Sequence, residues 1–227
     1  LTVKNQSTIK GVGDDCAVMH YHSDKEILMS TDLLVEGIHF DLTYVPLKHL
    51  GYKSAVVNFS DLYAMNAVPR QITVSLAISK RFAVEHIEQL YEGIKLACEI
   101  YGVDLVGGDT TSSKAGLIIS ITCIGDASAE KIAYRSGAKE SDLICVSGDL
   151  GAAYMGLQLL EREKIASAGQ SDFEPQFQGK EYLVERQLKP EARKDIIAEL
   201  DKFNIVPTSM IDISDGLSSE LMHICAQ

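Results

Sequence analysis

Ile72-Thr73-Val74-Ser75-Leu76-Ala77-Ile78 is an apolar, β-branched run of strand length. Val84, Ile87, Leu90, Tyr91, Ile94, Ala97 and Cys98 then fall at helical spacing, and Leu117-Ile118-Ile119-Ser120-Ile121-Thr122-Cys123-Ile124 is a second strand-length run. Strand, helix and strand in this order read as α/β. Working upstream, residues 27–31 add a strand, and Pro46 suits the first turn of a helix carrying Leu47, Leu50, Ser54 and Val57. Downstream, the turn-like Arg135-Ser136-Gly137-Ala138-Lys139-Glu140 precedes a strand expected at 143–146, a Gly-rich turn and a helix over about 152–164. Residues 166–180, rich in Ser, Gly, Gln and Asp, read as an exposed loop, and helices resume around 181 and 191. The expectation is a two-domain α/β architecture of the α+β type. A mixed-sheet domain with helices spans residues 1–135, and a second, partial α/β domain spans 136–227.

Length and composition agree with this. The chain has 227 residues, 46% hydrophobic and 23% charged, enough for one large core or two modest ones. The apolar run at 117–124 is far short of the roughly 20 residues of a bilayer helix, so no membrane partner is expected. Lys plus Arg is 21 against 32 Asp plus Glu, a formal charge of -11, which disfavours nucleic acid. The five cysteines, Cys16, Cys98, Cys123, Cys145 and Cys225, include no Cys-x-x-Cys; most read as small hydrophobes in a reducing compartment, and the protein as cytoplasmic. The start at Leu1 and the end at Gln227, inside an apolar periodic run, read as an incomplete chain.

The placing of the aspartates is the chemical signal. They recur in Gly11-Val12-Gly13-Asp14-Asp15, Ser30-Thr31-Asp32, Asn58-Phe59-Ser60-Asp61, Gly107-Gly108-Asp109-Thr110 and Asp212-Ile213-Ser214-Asp215-Gly216. Several follow an apolar run and precede a turn, which reads as carboxylates converging from several strand ends. Surface charge would instead scatter Asp and Glu along polar helix faces beside Lys, as over 191–199. For one cluster alone an Asx-turn or helix N-cap is the better reading; five together reverse it. Converging carboxylates repel one another unless a cation compensates, and oxygen-only ligands point to a hard divalent ion. Several Asp groups therefore suggest several Mg²⁺ ions gathered on a polyphosphate, which is how an acidic protein binds an anion.

Other site classes fit poorly. There is no Walker-type Gly-x-x-x-x-Gly-Lys-Ser/Thr, no Gly-x-Gly-x-x-Gly, no Gly-x-Ser-x-Gly and no zinc spacing among the six histidines. His20, His22, His49, His86 and His223 read as surface or packing residues. His39, just beyond Asp32, could reach the same cleft, although a structural role is the commoner outcome for such a residue.

These clusters, together with Ser-Thr-Asp-Leu-Leu-Val-Glu-Gly-Ile-His-Phe from Ser30 and Arg-Ser-Gly-Ala-Lys from Arg135, resemble the thiamine-monophosphate kinase family of the aminoimidazole-ribonucleotide-synthetase-like superfamily. The match runs in the family's order from Gly11 to the C-terminus. The resemblance implies an ATP- and Mg²⁺-dependent enzyme acting on thiamine monophosphate, a homodimer whose N-terminal domain binds Mg-ATP and mediates dimerisation. It implies metal ligands at Asp15, Thr31, Asp32, Asp61, Asp109, Asp212 and Asp215, with Ser30 at the same site. Nucleotide contacts would come from Tyr101, Gly108, Arg135 and Ser214, and His39 would touch the thiamine phosphate. Asp61, Asp109, Arg135 and Asp212 would carry catalysis. Tyr101 reads equally well as the apolar end of its helix stripe. Family members continue with a Gly-Gly-Glu-Asp-Tyr-Glu-Leu-like segment and a C-terminal aromatic, neither of which is in these 227 residues.

The expected reaction is in-line transfer of the γ-phosphoryl group of ATP to an already ionised acceptor phosphate, giving thiamine diphosphate and ADP without a strong general base. Two alternatives stand beside it: a sister activity of the superfamily (selenophosphate synthesis, aminoimidazole ribonucleotide synthesis or hydrogenase maturation), or a non-catalytic nucleotide or metal sensor. Cys16 has no base at a recognisable spacing and reads as packing rather than nucleophile.

Overall fold

The computed structural model describes residues 2–10, 18–21, 24–168 and 175–227. Cys16 and His22 therefore lie outside the described residues, as does Asp15. Two short strands, β1 (Thr8–Lys10) and β2 (Val18–Met19), pair antiparallel near the N-terminus. The main sheet is built from β3 (Glu26–Val35), β4 (Val68–Ile78), β5 (Asp104–Ser112) and β6 (Leu117–Ala127), in the order β3-β6-β4-β5. β6 runs antiparallel to both β3 and β4, whereas β4 and β5 are parallel. A parallel pair needs a crossover, and α2 (Val84–Tyr101) supplies it.

Alternation along the strands decides which face is covered. Ile72, Val74 and Leu76 of β4 and Leu117, Ile119, Ile121 and Cys123 of β6 all point to one face and are buried. There they meet α1 (Leu47–Tyr63) through Leu50, Val56, Phe59 and Leu62, together with Leu90 and Ile94 of α2. The two helices cross at glycines: a Cβ on Gly51 would lie 1.9 Å from the Leu90 carbonyl oxygen, and one on Gly93 would lie 1.9 Å from that of Lys48. α2 stops at Gly102, whose left-handed φ of 74° lets its N–H bond the Cys98 carbonyl. On the other face Ile27, Met29 and Leu33 of β3 remain exposed.

The remaining elements among the described residues are helices, joined by irregular segments. α3 (Ala152–Ser167) packs on α4 (Glu181–Leu188) with Gly156 against the Leu183 carbonyl, and α5 (Lys194–Lys202) and α6 (Leu217–Cys225) follow. Leu188, Ala192 and Ile197 join the core cluster begun by α1 and α2. Polar ties add to this: the Tyr44 hydroxyl donates to Glu161 at 2.6 Å, Lys164 donates to Asp41 at 2.7 Å and the Lys53 ammonium donates to the Gln187 carbonyl at 3.1 Å.

Three expectations need correction. Residues 143–146 are not a strand: no neighbouring strand among the described residues accepts their ladder, and Leu143 is 91% exposed. Cys145 and Cys225 are exposed, unlike the buried Cys98 and Cys123, because both sit on segments with no apolar cover. The aspartates do not all converge from strand ends: Asp32 and Asp109 lie inside β3 and β5, and Asp61 lies in the last turn of α1. No helix of the described residues is long and apolar enough to cross a membrane.

Candidate functional site

Three carboxylates come together from three elements. Ser30 and Asp32, two residues apart on β3, share the helix-covered face; α1 brings Ser60 and Asp61 over that face; and the segment before α6 brings Asp212. That last segment is aligned by pairing with residues 134–137. The Met210 N–H bonds the Tyr134 carbonyl at 3.0 Å and the Ser209 hydroxyl bonds the Arg135 carbonyl at 2.6 Å. The same pairing sets Arg135 beside Asp61.

Hydroxyls hold two of the carboxylates, and one amide holds the backbone of the third. Ser30 donates a short hydrogen bond to Asp61, Ser60 donates to Asp212 at 2.7 Å, and Ser214 donates more weakly to Asp212 at 3.4 Å. The buried Asn58 accepts from the Asp32 N–H at 3.1 Å and donates to the Ser54 carbonyl at 3.0 Å, pinning β3 to α1 next to Asp32. Burial pushes the Asp32 carboxyl up to about 6, with repulsion from Asp61 and Asp212 adding and His39 opposing. Asp61 is also raised, first by burial and then by Asp212, against the Ser30 hydrogen bond and the Arg135 charge.

Carboxylates that resist ionisation together form a site short of positive charge, which is the chemistry of a divalent-cation site. Among the described residues no three His, Cys, Asp or Glu side chains close into a ready cage. The donor set therefore suits Mg²⁺, which takes one or two carboxylates and completes its shell with waters and phosphates. A cavity of about 480 Å³ opens beside Asp61 and Asp212, with Ser30 and Arg135 on its polar side and Met65, Tyr134 and Met210 on its apolar side. Its size suits a small-molecule site.

The other expected residues are placed differently. The Thr31 hydroxyl lies on the opposite face of the sheet, 3.1 Å from that of Thr122, and so outside the carboxylate group. Register puts Asp109 beside Ser75 on the uncovered face of β5, with β5 and β3 at opposite edges. Three strand spacings, about 14 Å, separate it from the Asp32 backbone, so one chain does not join the two. Gly108 is demanded by packing, since a Cβ there would sit 2.0 Å from the Val74 carbonyl. Tyr101 is engaged elsewhere: its ring packs on Phe59 and its hydroxyl accepts from the Ala192 N–H at 2.9 Å. His39 accepts from the Val35 N–H through Nδ1 at 3.0 Å, which leaves Nε2 as the outward nitrogen. Asp215 is exposed on a turn whose N–H groups at 215 and 216 bond the buried Glu220 at 3.1 and 3.0 Å.

Sequence reasoning missed Asn58, Ser60 and Glu220 as individual residues. Ser60 and Asn58 stand inside a quoted cluster, and Glu220 four residues after Gly216 is a capping-type spacing, so each left a signal. Met65, Tyr134 and Met210 left none.

The family model for AIR synthase related protein, N-terminal domain, matches residues 13–127. Thiamine-monophosphate kinase of Aquifex aeolicus is 36% identical over 222 residues, covering 98% of this chain and 67% of that protein. The Bacillus subtilis enzyme of the same name is 33% identical over 223 residues, covering 98% and 66%. A solved complex, "AaThiL complexed with AMPPCP and TMP", superposes with a TM-score of 0.78 at 33% identity, covering 91% of this chain and 62% of that one. The chain thus spans about two thirds of the length of these relatives. It belongs to the AIR synthase related proteins and, among them, to the thiamine-monophosphate kinase family.

Proposed function

We propose that this chain carries the nucleotide- and metal-binding part of an ATP-dependent thiamine-monophosphate kinase. The observation that carries the reading is the convergence of Asp32, Asp61 and Asp212 beside Arg135 and a cavity, in a chain related to proteins of that name. Further support comes from the relative solved with AMPPCP and TMP.

Asp32, Asp61 and Asp212 would hold Mg²⁺, with Asp15, Asp109 and Asp215 assigned by the family motifs. When bound, Mg²⁺ supplies the positive charge that lets donor and acceptor phosphates approach. Ser30 and Ser60 each hold one oxygen of the Asp61 and Asp212 carboxylates, which line the cavity. Arg135 adds fixed charge for the transferring phosphoryl group. An acceptor phosphate oxygen attacks the γ-phosphorus as the bond to the β-phosphate oxygen breaks, and ADP leaves. That oxygen is already largely deprotonated at neutral pH, so the carboxylates are needed for charge and position rather than as bases. The outward Nε2 of His39 is placed to meet an anionic oxygen of the substrate.

In this reading residues 1–135 form the nucleotide-binding domain, residues 136–227 begin the domain that closes on it, and the enzyme works in the cytoplasm. The uncovered face of the sheet, with Ile27, Met29 and Leu33, forms the homodimer contact. The test is mass-spectrometric detection of thiamine diphosphate after the complete gene product is incubated with ATP, Mg²⁺ and thiamine monophosphate. Mg²⁺-dependent product supports the kinase, and its absence from folded protein that binds Mg-ATP removes it.

A further inference from the structure

The segment that carries Asp212 has no regular structure of its own, and it is fixed on both sides. On one side the Met210 N–H bonds the Tyr134 carbonyl at 3.0 Å and the Ser209 hydroxyl bonds the Arg135 carbonyl at 2.6 Å. On the other side one side chain does the holding. Glu220 of α6, 5% exposed, accepts from the Asp215 N–H through Oε1 at 3.1 Å and from the Gly216 N–H through Oε2 at 3.0 Å. Ile213, Ser214 and Asp215 are exposed, so packing does not set the path of the turn.

Capping of α6 explains only one of these two bonds. Gly216 is the N-cap residue, and a side chain near the start of a helix that returns to the N-cap N–H is an ordinary cap. The Asp215 N–H lies outside the helix and needs no cap. A carboxylate withdrawn from water is costly unless its oxygens are bonded, so the two bonds together fix the turn in one position. That position bears on Asp212. Ser214, next to Asp215, donates to the Asp212 carboxylate at 3.4 Å, and the Ser60 hydroxyl of α1 donates to the same oxygen at 2.7 Å. Asp212 lines the cavity with Asp61 and Arg135.

We propose that Glu220 is a positioning residue that fixes the turn at residues 214–216 and thereby holds the Asp212 carboxylate in place for Mg²⁺. The inference deepens the kinase reading and rests on Asp212 as a metal ligand. Groups that orient a metal ligand from behind typically change metal affinity by about 10–100-fold when removed.

The test measures Mg²⁺ binding to the complete protein by calorimetry in the presence of AMPPCP, with the thermal midpoint of the metal-free form recorded for each variant. Glu220→Ala removes both acceptors. Glu220→Gln keeps the shape and one acceptor oxygen, and it decides the matter if Glu220→Ala does not fold. A side chain that only caps α6 would lower the thermal midpoint and leave the Mg²⁺ affinity of the folded protein unchanged. The positioning role predicts binding about 10-fold weaker in Glu220→Ala and at least about threefold weaker in Glu220→Gln, with no further loss when either is added to Asp212→Asn. Weakening of less than about threefold in the variant that decides, or an undiminished loss in the Asp212→Asn background, overturns it. Parental Mg²⁺ binding by Asp212→Asn alone overturns it together with the reading of Asp212 as a ligand. Because binding is read directly, failure of the kinase reading would show separately, as missing product from the unmodified protein.

Discussion

At the scale of single residues, the site is a compromise between stability and charge. Asp32 is held up to about 6 mainly by burial, so the folded state takes up a proton more readily than the unfolded chain. The sign follows from linkage: a carboxyl raised in the folded state favours folding at low pH, and stability falls as pH rises from about 4 through 6. Asp32→Asn should therefore raise the thermal stability of metal-free protein above pH 6. The gain is on the order of 1 kcal/mol, since solvent screens a half-exposed group. It should vanish near pH 4, and melting curves across this range check it. Ser60→Ala should act in the other sense. It frees the Asp212 side chain, which its hydroxyl holds at 2.7 Å, and should raise the Mg²⁺ concentration needed for half-maximal turnover by about 10-fold with little change in melting.

At the scale of elements, the α1–α2 crossing is set by Gly51 and Gly93, where backbone meets backbone. Gly93→Ala places a methyl group 1.9 Å from the Lys48 carbonyl, and the helices must separate. A loss of about 2–3 kcal/mol in denaturant unfolding is expected, of the size of core overpacking. The helix stripe from Val84 to Cys98 and the strands around Ile72 and Leu117 are plain in the sequence because their period survives burial on one face. β5 is not, because Gly107 and Gly108 dilute an otherwise short strand that only its pairing with β4 defines. Conversely, Leu143, Ile144 and Val146 carry strand propensity yet find no partner strand among the described residues. The same division holds for the site. Asp32, Asp61 and Asp212 are legible from their Ser and Gly neighbours. The placing of Asp109 at the far edge is a matter of strand order and register, which local sequence does not encode.

At the scale of the whole molecule, the uncovered sheet face is the proposed contact between two copies. On its β3 edge Met29 is 72% exposed, beside Ile27 and Leu33. Leu33→Lys, which puts a charge on that face and leaves the helix-covered core untouched, should shift the protein from dimer to monomer in light scattering at micromolar concentration. An unchanged mass would contradict that use of the face. The central claim concerns the other face, where α1, β3 and the segment before α6 meet. It is tested most directly by comparing the parent protein and Asp61→Asn for conversion of ATP and thiamine monophosphate to thiamine diphosphate, with and without EDTA. The account predicts product from the parent protein only when Mg²⁺ is free, and a loss of about 10²-fold or more in a variant that melts normally. Product that survives EDTA, or near-parental turnover by Asp61→Asn, would contradict it.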